Sequence, residues 1–148
     1  EPSNKEQGYV LRRLLRRSAV KMKQLGFPIT SGFGTIIDRG VLQTYDSFQG
    51  IDREKQQNQV VKVIENEMDK FLKTLDKGLH QIEKMNYLDG KSAFDLFQSY
   101  GFPIEISEEF EIAKGKTINK IEFHEQFNLE LQKHQESSRK SAKSKFGH

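Results

Sequence analysis

The sequence has no cysteine, which excludes a disulfide framework, thiolate chemistry and a Cys-type zinc site. Its apolar runs never exceed three residues (Tyr9-Val10-Leu11), far short of the ~20 that a membrane-spanning helix needs. Histidine is scarce. His80, His124, His134 and His148 include no pair three or four residues apart, so no histidine metal face forms and they read as structural or surface groups. Hydrophobic residues are only 34% and mean hydropathy is −0.74, low for a compact globule, although eleven Phe give a core something to pack. Glu1-Pro2-Ser3 has neither the basic start nor the apolar stretch of a secretory signal, and a chain that does not open on Met is expected to be a segment of something longer. A length of 148 residues suits one domain with an appendage.

What is present is unevenly charged. Residues 1–26 carry a net +5, residues 27–90 a net −2, residues 91–131 a net −4 and residues 132–148 a net +4. Two basic ends around an acidic middle suggest a polyanion at the ends, or, for the C-terminal run, ordinary solvated charge.

The periodicity predicts an all-α fold, a helical bundle with one long helix and a C-terminal helix and tail. Over Gln7–Leu25, Leu11, Leu14, Leu15, Met22 and Leu25 follow the helical period with Ser18 in the gap, and Gly26-Phe27-Pro28 stops the spiral. Residues 29–50 are weaker: Ile36, Ile37, Val41, Leu42 and Tyr45 suit a short helix among glycines. Asp52 reads as the N-cap of a helix from Arg53 to Met85, with a stripe of Val60, Ile64, Met68, Phe71, Leu75, Leu79, Ile82 and Met85. At 1.5 Å per residue it would be roughly 50 Å long, so part of it should project beyond its neighbours. Gly78 inside it has no local explanation. Leu88-Asp89-Gly90 reads as a turn, and Ser92–Tyr100 as a short helix stopped by Gly101-Phe102-Pro103. Ser107 should start another helix. Asn119 and Glu122 make a capping-box pattern for a last helix, Lys120–Ser141. Residues 1–136 form the expected domain and 137–148 a basic, flexible tail.

Few motifs carry chemistry. Gly90-Lys91-Ser92 looks like the end of a phosphate loop, but Met85 stands where the first Gly belongs and no strand precedes it. Gly32-Phe33-Gly34 is half a dinucleotide fingerprint, with Ile37 in place of the third Gly. No Ser/His/Asp set can be ordered, so no catalytic centre is expected. The first helix stands apart. At 100° per residue, Arg12, Arg13, Arg16 and Arg17, with Tyr9 and Lys23, fall on the arc opposite the leucines. Such an arginine plate needs anions. Intramolecular carboxylates and nucleic-acid phosphates fit equally, the latter through bidentate guanidinium forks.

The segment Pro2-Ser3-Asn4-Lys5-Glu6-Gln7-Gly8-Tyr9-Val10-Leu11-Arg12-Arg13-Leu14-Leu15-Arg16-Arg17 closely resembles the opening of the tRNA-recognition region of alanyl-tRNA synthetases. Phe71-Leu72-Lys73-Thr74-Leu75 with Gly78, then Leu88-Asp89-Gly90-Lys91-Ser92-Ala93-Phe94, then Tyr100-Gly101-Phe102-Pro103 occur in that family's order, so the resemblance spans nearly the whole chain. It implies a parent that is a cytoplasmic class II ligase joining alanine to its tRNA with ATP and Mg. The catalytic domain of the same chain lies before this segment and the family's ATP-binding motifs are absent from it. The segment is then expected to bind the tRNA-Ala acceptor stem without a cofactor and without activity of its own. The resemblance also assigns roles. Asn4 would read a G·U wobble pair in the minor groove. Gln98 stands where the family often has an Asp reader, and Asp95, one turn back, is a compensating carboxylate. Arg12, Arg13, Arg16, Arg17 and Lys23 would hold the RNA backbone. The competing reading is a helical interaction module whose basic face docks an acidic protein. Neither reading involves a membrane.

Overall fold

A computed structural model describes residues 1–42 and 53–146. Among the described residues there are six α-helices, one π-helical segment and no strand, as the periodicity predicts. The chain divides into two compact units, Glu1–Leu75 and Asp76–His148, with the division inside the long helix.

The first unit holds α1 (Glu6–Gln24), α2 (Ile29–Ile36), the π-helical segment Ile37–Leu42, and α3 (Arg53–Lys84) up to Leu75. The stop after α1 is a Schellman closure. The Phe27 N–H donates to Met22 O (2.9 Å) and the Gly26 N–H to Lys23 O (3.0 Å), with Gly26 at φ 73°. The expected short helix in 29–50 is α2 and its π-helical continuation. Tyr45 and the Asp52 cap lie outside the described residues. The buried apolar groups are Leu15, Ala19, Val20, Phe33, Ile37, Met68, Phe71 and Leu75. Val60, at the other end of the α3 stripe, is exposed.

One feature of α1 differs from the periodicity argument. Its buried side is Leu15, Ala19 and Val20, whereas Leu11 and Leu14 are 41% and 50% exposed and Leu25 is exposed too. Counting leucines placed the inward face on the Leu11 side. The decisive partner is a buried acid on α3 that draws Arg12 and Arg16 inward and rotates the buried side toward them.

The second unit holds the remainder of α3 with α4 (Gly90–Tyr100), α5 (Ile104–Ala113) and α6 (Lys120–Phe146). One cluster of its core is Ala93, Phe94, Ile104, Phe123 and Phe127, with Phe97, Ile118 and Leu131 packed on it, and Ile82, Leu88, Leu96, Phe102 and Ile106 are buried as well. The Phe127 ring meets Phe94 and Phe97 edge-on, with centroids 5.8 and 5.6 Å away. α4 starts two residues earlier than predicted, because the supposed turn residue Asp89 is its N-cap. The Asp89 carboxylate accepts from the Ser92 N–H (2.8 Å) and Ser92 Oγ (2.7 Å). Desolvation pushes that carboxyl up, but the Ser92 hydrogen bonds, its own backbone N–H and the Lys91 charge together outweigh it and hold it below the usual range. The Gly-Lys-Ser string is thus a capped helix start. A Cβ on Gly90 would sit 2.1 Å from Phe123 O, so glycine here allows α4 to press on α6.

α5 begins at Ile104, directly after Pro103, and not at Ser107, which is buried inside the helix. α6 continues beyond Ser141 to Phe146. Asn119 Oδ1 accepts from the Glu122 N–H at 3.4 Å, one half of the expected box, while Glu122 Oε1 accepts from Gln126. Lys114 Nζ donates to Ile82 O (3.1 Å) and Met85 O (2.7 Å), satisfying carbonyls at the end of α3. Gly78 also gains a reason: a Cβ there would lie 2.7 Å from Phe102 Cζ.

Candidate nucleic-acid interface

The polar residues of the first unit meet at the start of α1. Residues 1–5 fold back over the first helical turn. The Ser3 N–H donates to Gly8 O (2.9 Å), Ser3 Oγ accepts from the Lys5 N–H (3.2 Å), and the same hydroxyl donates to Lys5 O (3.0 Å). This return needs glycine at position 8, where a Cβ would lie 2.2 Å from Ser3 Oγ and 2.6 Å from Glu1 O. Glu6 takes φ 49°, a left-handed conformation that a non-glycine residue adopts at a cost of about 1 kcal/mol or more. The tight return leaves Asn4 exposed at its tip.

Arg12 ties this tip to the body of the unit. Its Nη1 donates to Asn4 Oδ1 and its Nη2 to Pro2 O (3.4 Å). Its Nε lies 3.0 Å from Glu67 Oε1, close enough for an ion pair but not aligned as a hydrogen bond. Arg16 donates to the same oxygen through Nε (2.9 Å) and Nη2 (2.7 Å), and its guanidinium lies 5.1 Å from the Phe71 ring centroid. Glu67 is 4% exposed. One buried carboxylate therefore gathers two guanidiniums, and the cluster keeps a net charge of about +1.

The four arginines of the plate thus divide. Arg12 and Arg16 reach α3, while Arg13 sits 5.8 Å from the Tyr9 ring centroid. Arg17 is half-buried and Lys23 exposed. In the second unit, Gln98 and Asp95 are both exposed, three residues apart on α4, while Phe94 and Leu96 are buried. Tyr100 lies against Phe102 with centroids 6.5 Å apart.

Sequence reasoning missed Glu67. A signal was available: Glu67 falls three residues after Ile64 and four before Phe71, so it shares the apolar stripe's face, and an acid there must be paired. Among the described residues no group of His, Asp and Glu is placed to hold a metal ion. His124 pairs with Glu108. No helix among them is long and apolar enough to cross a membrane. A cleft of about 300 Å³ in the second unit is lined by Tyr87, Asp89, Glu111, Lys116 and Asn119, among others.

An all-α chain with a tightly braced arginine helix at its start matches one class of proteins over almost its whole length. The family described as tRNA synthetases class II (A) covers residues 1–147, and the chain belongs to it. Three of its curated relatives share a name. It is 38% identical over 151 residues to the alanine–tRNA ligase of Borrelia garinii subsp. bavariensis, covering 98% of this chain and 24% of that protein. It is 39% identical over 146 residues to the alanine–tRNA ligase of Mesoplasma florum, covering 96% and 16% respectively. The alanine–tRNA ligase of Bacillus velezensis is 35% identical over 147 residues, covering 93% and 16%. The chain spans a quarter or less of the length of these relatives.

Proposed function

We propose that this chain is the segment of an alanine–tRNA ligase that recognises the tRNA acceptor stem, reading it from the minor groove. The observation that carries the reading is Asn4, exposed yet held by Arg12 at the head of an arginine-bearing helix, in a chain whose relatives are alanine–tRNA ligases. The physics suits the task. A-form RNA hides its major groove and presents a wide, shallow minor groove. In a G·U wobble the guanine 2-amino group lacks its usual partner there and can donate to a fixed acceptor. Asn4 Oδ1 receives one hydrogen bond from Arg12, and an amide oxygen has a second lone pair.

Gln98, exposed on α4, is the second reader in this proposal, and Asp95, exposed one turn back, is the compensating carboxylate. Gln98 supplies a neutral carbonyl acceptor and Asp95 a charged one. Arg13, Arg17 and Lys23 contact phosphates and set the register of the stem. Arg12 and Arg16 share their donors between Glu67 and the backbone of the RNA. The ligation itself, with ATP and Mg, belongs to the parent's catalytic domain, the other intramolecular partner; this segment binds no cofactor and catalyses nothing alone. The parent works in the cytoplasm, and the expected flexible tail is instead, as far as Phe146, the basic end of α6, with Arg139, Lys140, Lys143 and Lys145.

The test is filter binding of acceptor minihelices with G·U or G·C at the wobble position, over a salt series. Affinity should favour G·U and fall steeply with salt. Equal affinity for the two stems, or a flat salt response, refutes the reading. A second reading, a helical module docking an acidic protein, draws on the exposed Val10, Leu11 and Leu14 beside the basic groups of α1. Salt-sensitive binding of an acidic protein without RNA binding would favour it.

A further inference from the structure

The geometry points to Glu67 as a positioning residue that sets base selectivity at Asn4 through Arg12. The inference rests on the reading of Asn4 just given. Glu67 never approaches the stem in this scheme. It is buried on α3, and its Oε1 lies 3.0 Å from Arg12 Nε. Arg12 passes the constraint on, holding Asn4 Oδ1 with one terminal nitrogen and Pro2 O with the other.

The guanidinium is planar, so the ion pair that draws its Nε edge to Glu67 limits how far both terminal nitrogens can swing. Arg16 presses on the same oxygen from the next helical turn, at 2.7 and 2.9 Å, and restrains the carboxylate in its turn. The chain of constraint therefore runs from a buried acid, through a half-buried guanidinium, to an exposed amide. Without the acid, Arg12 would lose its anchor and turn to solvent or phosphate. Asn4 would remain at the tip of its turn, but its amide could rotate and offer a donor where the guanine 2-amino group needs an acceptor. A lost acceptor changes selectivity more than affinity, because the phosphate contacts of Arg13 and Arg17 would be retained.

The whole chain is used for the test, with three variants: Asn4→Ala, Glu67→Gln and Arg12→Lys. The readout is the ratio of affinities for G·U and G·C minihelices, with circular dichroism to verify helicity. Asn4→Ala should abolish the preference, a loss of roughly tenfold. Glu67→Gln should bring the preference down to the level of Asn4→Ala while changing affinity for the G·C stem little. The double variant Glu67→Gln/Asn4→Ala should lose nothing further, since both act on one contact. Arg12→Lys keeps the charge and the Glu67–Arg16 pair but lacks the fork, and should lower the G·U/G·C ratio as Glu67→Gln does, with that ratio as its only binding readout because Arg12 also meets the RNA backbone; it also serves where Glu67→Gln fails to fold. A ligand-free readout runs beside these: the Asn4 side-chain NH2 resonances should shift in Glu67→Gln and Arg12→Lys. No preference in the wild type, or a preference surviving in Asn4→Ala, overturns the reading and the inference together. A preference lost in Asn4→Ala but kept in folded Glu67→Gln or Arg12→Lys, or Asn4 resonances that do not move, overturns the role of Glu67 alone.

Discussion

Gly78→Ala sets two opposing effects of known size against each other. An alanine inside a helix is favoured over glycine by about 1 kcal/mol, so propensity alone predicts a more stable α3. The added Cβ, however, would stand 2.7 Å from Phe102 Cζ and 3.0 Å from both Phe102 Cε2 and Tyr100 Cβ. Carbon atoms pack best at about 3.5–4.0 Å, so the ring tip would have to retreat by roughly 1 Å. Phe102 is completely buried, and Tyr100 Cβ is tied to the backbone. Overpacking of a core costs typically 1–3 kcal/mol, and with one neighbour enclosed and the other anchored the upper half of that range applies. The net effect is a loss of about 1–2 kcal/mol. Urea unfolding followed by circular dichroism should show the midpoint of Gly78→Ala lowered by about 0.5–1 M. Lys77→Ala, at the exposed neighbouring position, should stay within about 0.5 kcal/mol of wild type. Adding Phe102→Leu, which removes Cζ, should cost less in the Gly78→Ala background than in the wild type. An alanine variant as stable as the wild type, or more so, would refute the argument that Gly78 exists to admit the Phe102 ring.

Gly8→Ala should expel the Ser3 turn from the first turn of α1 and erase the G·U preference roughly tenfold, as minihelix binding would show, with helicity retained. Asp89→Ala should cost about 1 kcal/mol by removing the N-cap of α4, measured by thermal unfolding. Because the folded Asp89 carboxyl is held below its unfolded value, its contribution is complete above about pH 4 and is lost as pH falls through the lowered value; Asp89→Asn should flatten that acid limb of the stability curve. Replacing Arg13 and Arg17 by Ala should lower the salt slope of stem binding by about 1 for each phosphate contact removed and leave the G·U preference in place.

The helices were legible because the stripe of α3 and the glycine–proline stops are local signals. Met68, Phe71, Leu75 and Ile82 are buried as the stripe requires, and Gly26 and Gly101 both take φ 73°. The starts were less legible. Asp89 read as a turn residue because its capping role depends on Ser92 turning back to it, and Pro103 read as the end of one helix although it also opens the next. The facing of α1 was not legible at all. Leucines at 11 and 14 outvoted the smaller Ala19 and Val20 in a periodicity count, yet the inward side is decided by Glu67, which stands more than fifty residues from Arg12 and Arg16. Of the candidate site, Asn4 and the arginines could be named from residue types and resemblance, whereas the brace between Arg12, Arg16 and Glu67 could only be seen once α1 and α3 were side by side.

That brace explains why two of the four arginines can turn inward without disarming a cationic face. A buried carboxylate with one guanidinium would be neutral, and its desolvation would be poorly compensated. With two guanidiniums sharing Glu67 Oε1, the carboxylate is over-neutralised and the cluster remains attractive to phosphate. The arrangement also removes a difficulty of the bare sequence, in which Arg12, Arg13, Arg16 and Arg17 crowd one helix and repel each other. Repulsion is relieved between Arg12 and Arg16, one turn apart, by an acid buried at 4% exposure. Arginine is needed at position 12 for a further reason. A lysine ammonium could pair with Glu67, but it could not hold the acid, Asn4 Oδ1 and Pro2 O from three nitrogens of one rigid plane.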